Sequence, residues 1–138
     1  MTFRPDAVRG ASGAGAGGAS GTIDFRLARR HIVNEFKRGR LSRLDVCDAH
    51  PELVRAAQNV GEASSEPCPI CQESNLVFVS YVFGNRLPAH GRCITERGEL
   101  VKLSRRHDEL ACYVVEVCPE CRWNHLARTF RLGRKHAG

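Results

Sequence analysis

The chain has 138 residues, a formal net charge of +6 and an apolar content of 42%. This length is typical of one domain, and this apolar content allows a hydrophobic core of modest size. The longest apolar run, residues 76–83, is too short to cross a bilayer, and no apolar stretch follows Arg4 and Arg9. The composition therefore argues against a membrane protein and against a secretory signal.

Seven cysteines include two Cys-x-x-Cys pairs. An odd number of cysteines with such pairs is typical of metal binding rather than of a disulfide framework. We therefore expect a soluble cytoplasmic protein, in which reduced thiols are available to zinc. The positive charge favours an acidic partner such as nucleic acid or an acidic protein surface, although an ordinary solvated surface has the same balance.

The first two segments of the chain differ sharply in composition. Residues 1–21 are mostly Gly, Ala and Ser, and we expect a disordered tail because they bury little apolar area. Residues 22–61 are predicted to form three short helices. In the first helix, Thr22 is the predicted N-cap, Asp24 supports the first turn and Gly39 ends the helix. Its apolar stripe consists of Phe25, Ala28, Ile32 and Phe36.

The second and third predicted helices each have a recognisable start. Ser42 opens the second, with Asp45 three residues later as a weak capping box. Pro51 fits the first position of the third, which Gly61 ends. The side chains predicted to point inward are Leu41, Leu44, Cys47, Leu53, Val54, Ala57 and Val60. Three helices in this segment allow a helix-turn-helix, although helical hairpins that only pack on a neighbour are commoner.

Residues 62–133 are predicted to form a second, β-rich region. Its expected elements are a polar linker at 62–67, a strand at 75–83, a loop at 84–92, a short helix at 95–107 and strands at 111–117 and 123–133. Residues 134–138 are expected to be a basic frayed end. The predicted fold class is α+β, with an N-terminal short-helix segment packed on a C-terminal zinc ribbon. That ribbon is a three-stranded antiparallel sheet with a helical insertion.

The two cysteine pairs predict one structural zinc site with Cys68, Cys71, Cys118 and Cys121 as ligands. Zinc in structural sites binds four ligands in a tetrahedron, and each Cys-x-x-Cys turn supplies two of them. Pro69 and Pro119 stiffen the turns. Four thiolates leave no open coordination position, so the zinc is predicted to be structural rather than catalytic.

Other uses of these cysteines remain open. The same four thiolates suit an iron–sulfur cluster, and a Cys-x-x-Cys pair also occurs in thiol redox proteins, although the flanking βαβ pattern is missing here. His125 could replace one cysteine, but a strand histidine facing away from the metal is the simpler interpretation. Cys47, Cys93 and Cys112 are interpreted as small core residues or free thiols. No pattern of catalytic residues is present, so we expect no enzyme.

Basic side chains near the helices and the second cysteine pair form a candidate surface for nucleic acid or a partner. They are Arg26, Arg30, Lys37, Arg40, Arg43, Arg122, Arg128 and Arg131. Trp123 joins this set, because an exposed aromatic ring can stack on a base. The alternative, which we prefer, is that Trp123 covers the cysteine turns as part of the core.

Several motifs together resemble the actinobacterial family called domain of unknown function 5318. They are "RLARR", "GRLSRLDVCDAHPELVRAAQNVG", "PCPIC" and "YVVEVCPECRWNHL", and the resemblance runs from about residue 22 to 133. It implies an intracellular protein with paired-cysteine turns and transfers no activity. The chain departs from the family pattern at Arg122, where members have glycine, and at Cys93, where they lack cysteine.

The function expected from the sequence is a non-enzymatic zinc-ribbon module that binds RNA, DNA, the ribosome or RNA polymerase. Its basic surplus and its arginine groups support this hypothesis. A protein-interaction adaptor with structural zinc is the alternative, and a thiol redox protein is a third. The sequence does not indicate an oligomeric state.

Overall fold

An antiparallel sheet of six strands organises the part of the chain that the computed structural model describes, residues 3–5, 8–10 and 21–136. The strands are β1 (Thr22–Asp24), β2 (Glu62–Pro67), β3 (Asn75–Phe83), β4 (Arg92–Cys93), β5 (Leu110–Val117) and β6 (Asn124–Leu132). The α-helices in these residues are α1 (Arg26–Lys37), α2 (Arg43–Val46), α3 (Pro51–Val60) and α4 (Glu99–Arg106), and Arg134–His136 form a short 3-10 helix. The α+β class is confirmed.

The sheet is larger than the predicted ribbon of three strands. Its order is β1-β6-β5-β3-β2, with β4 paired to the other end of β3. The three predicted strands are β3, β5 and β6, and they form its centre. The predicted linker 62–67 is instead the edge strand β2. Because nearly all of its residues are exposed, it lacks the alternating apolar pattern that identifies a strand.

The helical segment keeps three predicted boundaries, and the start of its first helix and the burial of Leu44 differ from the prediction. Ser42 and Asp45 form a reciprocal capping box on α2, and Pro51 opens α3, which ends before Gly61. However, Thr22 lies in β1, and α1 begins after Phe25 as its N-cap. Leu44, predicted to point inward, is 87% exposed. The α2 helix is one turn long, so it buries one side only, and that side contains Val46.

Both ends of the chain contact the folded body where the structure describes them. Val8 is buried, the Phe3 N–H donates to the Glu52 carboxylate over 3.0 Å, and Arg9 pairs with Asp48 at 2.9 Å. Near the C-terminus, Arg134 pairs with Asp108 at 2.9 Å. Residues 1–2, 6–7 and 11–20 of the predicted disordered tail and residues 137–138 of the predicted frayed end lie outside the described residues.

Three clusters of apolar side chains form the core. Helix α3 covers one face of the sheet, where Leu53 packs with Val79 and Val115. Helix α4 covers the opposite face, where Leu103 packs with Val82 and other even-numbered residues of β3 and β5. The third cluster lies under the cysteine pairs and is formed by Val33, Val46, Cys68, Ile70, Leu76, Cys118 and Trp123. This third cluster connects helices α1 and α2 to the end of the sheet.

Candidate metal centre

The pairing of β3 with β5 brings the two cysteine turns to one end of the sheet. The strands are antiparallel with Val77 opposite Val117, so the start of β3 lies beside the end of β5. The turn with Cys68 and Cys71 precedes β3, and the turn with Cys118 and Cys121 follows β5. The register of these two strands therefore brings the cysteine pairs together, although they are far apart in sequence.

The two turns repeat nearly the same backbone geometry. The Gln72 N–H donates to the Cys68 carbonyl over 3.1 Å, and the Arg122 N–H donates to the Cys118 carbonyl over 2.9 Å. Both Gln72, at φ 58°, and Arg122, at φ 76°, have left-handed backbone. Both turns therefore place a non-glycine residue in backbone that favours glycine.

The four sulfurs fit a tetrahedral metal ion. All four Sγ atoms lie within 4.8 Å of one another, with 3.6 Å between Cys68 and Cys121 and 3.7 Å between Cys71 and Cys118. A tetrahedron with zinc–sulfur bonds of about 2.3 Å has sulfur–sulfur edges of about 3.8 Å. The Ile70 and Cys121 N–H groups each donate to a cysteine sulfur over 3.4 Å, which supports negative charge on sulfur. Among the described residues, this group alone has the geometry of a metal site.

The thiols differ in how easily they ionise without a metal. Burial raises the pKa of Cys68 to about 11, despite hydrogen bonds that act in the opposite direction. Burial also raises the pKa of Cys121. Burial raises the pKa of Cys71 too, but hydrogen bonds from the Glu73 backbone and from neighbouring thiols outweigh it, so the net shift is downward. A metal ion must therefore displace protons from at least Cys68 and Cys121 at neutral pH.

A fifth cysteine, which the sequence had suggested was a core residue or free thiol, lies beside this cluster. Cys47 follows α2 and its Sγ donates to the Cys121 Sγ over 3.5 Å. The Arg43 guanidinium interacts electrostatically with both sulfurs. No local spacing signals this contact, because the two cysteines are 74 positions apart in sequence.

Trp123 and His125 are both buried inside the fold. Trp123 is fully buried among the cysteines, so its ring is not available to stack on a base, and the preferred interpretation as a cover of the turns holds. Its Nε1–H donates to Glu116 over 2.9 Å, and Glu116 accepts from Arg29 Nε over 2.8 Å. His125 is fully buried outside the four-sulfur group, and burial lowers its pKa. Sequence reasoning missed the Arg29–Glu116–Trp123 network, whose ion pair spans 87 positions.

The eight basic candidates are exposed but belong to several elements. They lie on α1, on the connection to α2, at the start of α2, on the second cysteine turn and on β6, and they are Arg26, Arg30, Lys37, Arg40, Arg43, Arg122, Arg128 and Arg131. Arg26 and Arg128 share a cleft of about 240 Å³ with the paired residues Arg29 and Glu116. Some already have partners: Arg40 pairs with Glu35 at 3.2 Å, and Arg122 donates to the Ala49 carbonyl over 2.7 Å.

The fold and this cluster define a small α+β protein with a four-cysteine site suited to a metal ion. The chain belongs to the family of unknown function DUF5318, whose model matches residues 18–138. The uncharacterized proteins Rv0049 of Mycobacterium tuberculosis and Mb0050 of Mycobacterium bovis are each 43% identical to it over 111 residues, which is 80% of this chain and 81% of theirs. No solved structure matches the chain. In the described part of the chain, every helix is too short or too polar to span a bilayer.

Proposed function

We propose that the chain is a non-enzymatic binding module stabilised by one structural zinc ion. The observation that carries the proposal is the cluster of four sulfurs within 4.8 Å of one another, contributed by two turns of matching geometry. Cys68, Cys71, Cys118 and Cys121 would hold the ion, which supplies a cross-link between the start of β3 and the end of β5. Four thiolates fill a tetrahedral shell, so this site supports stability rather than catalysis.

Elemental analysis of the purified full chain tests the metal. We expect about one zinc per chain, since one tetrahedral shell binds one ion. An iron–sulfur cluster would instead give iron, sulfide and visible absorption. Cys71→Ser and Cys118→Ser should each lower the zinc content, whereas Cys93→Ser, a matched change in a half-buried cysteine outside the cluster, should not. A metal-free native chain, or equal zinc in all variants, would contradict the assignment.

We propose nucleic acid, free or within the ribosome or RNA polymerase, as the partner of this module. Arg30 and Lys37 on the exposed side of α1, together with the +6 net charge, support this choice. Phosphate contacts by such residues release counterions, so binding should weaken steeply with salt. The location we propose for it is cytoplasmic.

Fluorescence anisotropy with labelled RNA and DNA over a salt series tests the partner. The double variant Arg30→Gln/Lys37→Gln should weaken binding and reduce the magnitude of the log–log salt slope by roughly 1–2, as expected for one or two lost phosphate contacts. Lys102→Gln/Arg105→Gln removes the same charge from exposed positions of α4 and is the matched control. Equal losses in both double variants would indicate non-specific attraction, and absence of binding at low salt would contradict the proposal.

A protein-interaction adaptor is the second candidate, favoured by exposed apolar side chains on the helical segment. Leu27 is 79% exposed and Leu44 is 87% exposed, so each offers apolar area that a protein contact would bury. A partner that co-purifies after nuclease treatment and is lost with Leu44→Ser would favour this candidate. Co-purification that disappears with nuclease would favour nucleic acid.

A further inference from the structure

Cys47 is a thiol that touches the proposed metal shell without being needed in it. Its Sγ lies 3.5 Å from the Cys121 Sγ, whereas the other four sulfurs already form a complete tetrahedral set. Cys47, Cys71 and Cys121 are partly exposed, while Cys68 and Cys118 are buried. A small solute can therefore reach both sulfurs of the Cys47–Cys121 contact.

We propose that Cys47 and Cys121 form a peroxide-sensitive thiol pair that opens the metal shell when it is oxidised. The inference rests on the proposed zinc site. Cys47 sulfur attacks hydrogen peroxide, the O–O bond breaks, and Cys47 sulfenic acid and one water form. Cys121 sulfur then attacks the Cys47 sulfur and displaces hydroxide, which takes up a proton to give a second water. The two thiols lose two electrons in total, and the peroxide gains them.

The geometry requires only a small movement for this reaction. A disulfide has an S–S bond of about 2.05 Å, so the two sulfurs must approach by roughly 1.5 Å. Cys47 lies at the end of the one-turn helix α2, an element with few backbone hydrogen bonds to break. The Arg43 guanidinium lies close enough to both sulfurs to interact electrostatically with them.

The disulfide with Cys47 removes Cys121 as a thiolate ligand of the metal ion. Three cysteines would remain to hold the ion, and zinc affinity depends on the full set of deprotonated ligands. Oxidation should therefore release zinc and loosen the end of the sheet. A low-molecular-weight thiol reverses the step by reducing the disulfide, after which zinc rebinds.

Zinc release from the loaded full chain tests this pair. Purified zinc-bound protein is treated with hydrogen peroxide while a chromogenic chelator reports free zinc, and mass spectrometry maps the disulfides. We expect a Cys47–Cys121 link in the native chain and zinc release at least about tenfold slower in Cys47→Ser and Cys47→Ala, because the sulfur that attacks the peroxide is missing. Cys93→Ser, a matched change at a half-buried cysteine, should release zinc as fast as the native chain.

Equal release rates in the native chain and the Cys47 variants would overturn the inference, as would disulfides restricted to the Cys68–Cys71 and Cys118–Cys121 pairs. Zinc content before oxidation separates this failure from failure of the metal site. A chain that binds zinc but releases it at the same rate with and without Cys47 overturns only the proposed switch. A chain without zinc overturns both the zinc site and the switch.

Discussion

At the residue scale, Glu116 is the buried charge that connects helix α1 to the metal end of the sheet. It is 4% exposed and accepts from Arg29 over 2.8 Å and from Trp123 over 2.9 Å. Removing one partner of a buried ion pair leaves the other without compensation. We expect Glu116→Gln to lower the free energy of unfolding by about 2–4 kcal/mol, at the low end because Arg29 is partly exposed.

Chemical denaturation of the zinc-bound protein measures this change. Glu35→Gln is the control, because its partners Arg38 and Arg40 have side chains that are 64% and 67% exposed. An exposed pair of this kind should contribute less than about 1 kcal/mol. Equal losses in the two variants would show that Glu116 has no special structural role.

The pH dependence of metal binding follows from the raised pKa values at two ligands. The pKa of Cys68 is about 11 and that of Cys121 is also raised, so both thiols are protonated at pH 7 without metal. Metal affinity should therefore fall as pH decreases, roughly tenfold per pH unit for each thiol that the ion deprotonates. Competition with a chelator between pH 6 and pH 8 measures the slope. A flat profile would mean that these cysteines are not ligands.

The stability of the metal-free chain depends on pH in the opposite direction, because it decreases as pH rises. Because the folded pKa of Cys68 lies above its ordinary value of 9.0, the neutral thiol stabilises the fold fully below that value. This contribution is lost as pH rises toward about 11. Zinc addition should remove this alkaline sensitivity of the unfolding free energy, which denaturant unfolding at alkaline pH with and without zinc measures.

At the element scale, the junction of α3 and β2 depends on a glycine for space. A Cβ at Gly61 would collide with Val77 and approach the Ala57 carbonyl oxygen to 2.7 Å, and backbone cannot move away easily. At Gly39 no atom lies near the added Cβ, and only the left-handed φ of 79° opposes it. We expect Gly39→Ala to cost about 1–2 kcal/mol and Gly61→Ala clearly more, measured by thermal and chemical unfolding. Equal costs would show that the junction can relax.

Sequence patterns predicted the elements whose signal is local. The apolar runs of β3 and β5, the capping box at Ser42 and the proline at the start of α3 all follow from neighbouring residues. Edge strands β1 and β2 escaped prediction because one is only three residues long and the other is mostly exposed. Partner strands supply the hydrogen bonds that hold both in place.

In the candidate site, too, local sequence patterns predicted some residues, whereas residues brought in by tertiary packing were missed. Repeated Cys-x-x-Cys spacing was enough to select four residues that the fold brings together. Cys47 and the Glu116 network could not be found in this way, because their contacts depend on how α1 and α2 pack on the sheet. Residue spacing also does not show which side chains are exposed. For this reason the sequence allows base stacking by Trp123, which is fully buried in the structure.

At the scale of the whole molecule, the metal ligands belong to only one of three core clusters. Cys68 and Cys118 pack with Val33, Val46 and Trp123, whereas the clusters under α3 and α4 contain none of the four proposed ligands. Helices α3 and α4 also bury apolar side chains on the two faces of the sheet, away from the cysteine turns. Metal removal should therefore loosen one end of the molecule before the rest.

Hydrogen exchange of the native chain before and after chelation tests this expectation. We expect amide protection to fall at residues 43–47, 68–72 and 118–123, and the fall at the centres of β3 and β5 to be much smaller. The reason is that Val79, Val82, Val114 and Val115 are almost fully buried by helices that do not touch the proposed ion. Zinc addition should restore protection at the cysteine turns. Uniform loss over the whole sheet would instead mean that the ion stabilises the entire fold, as a minimal zinc ribbon requires.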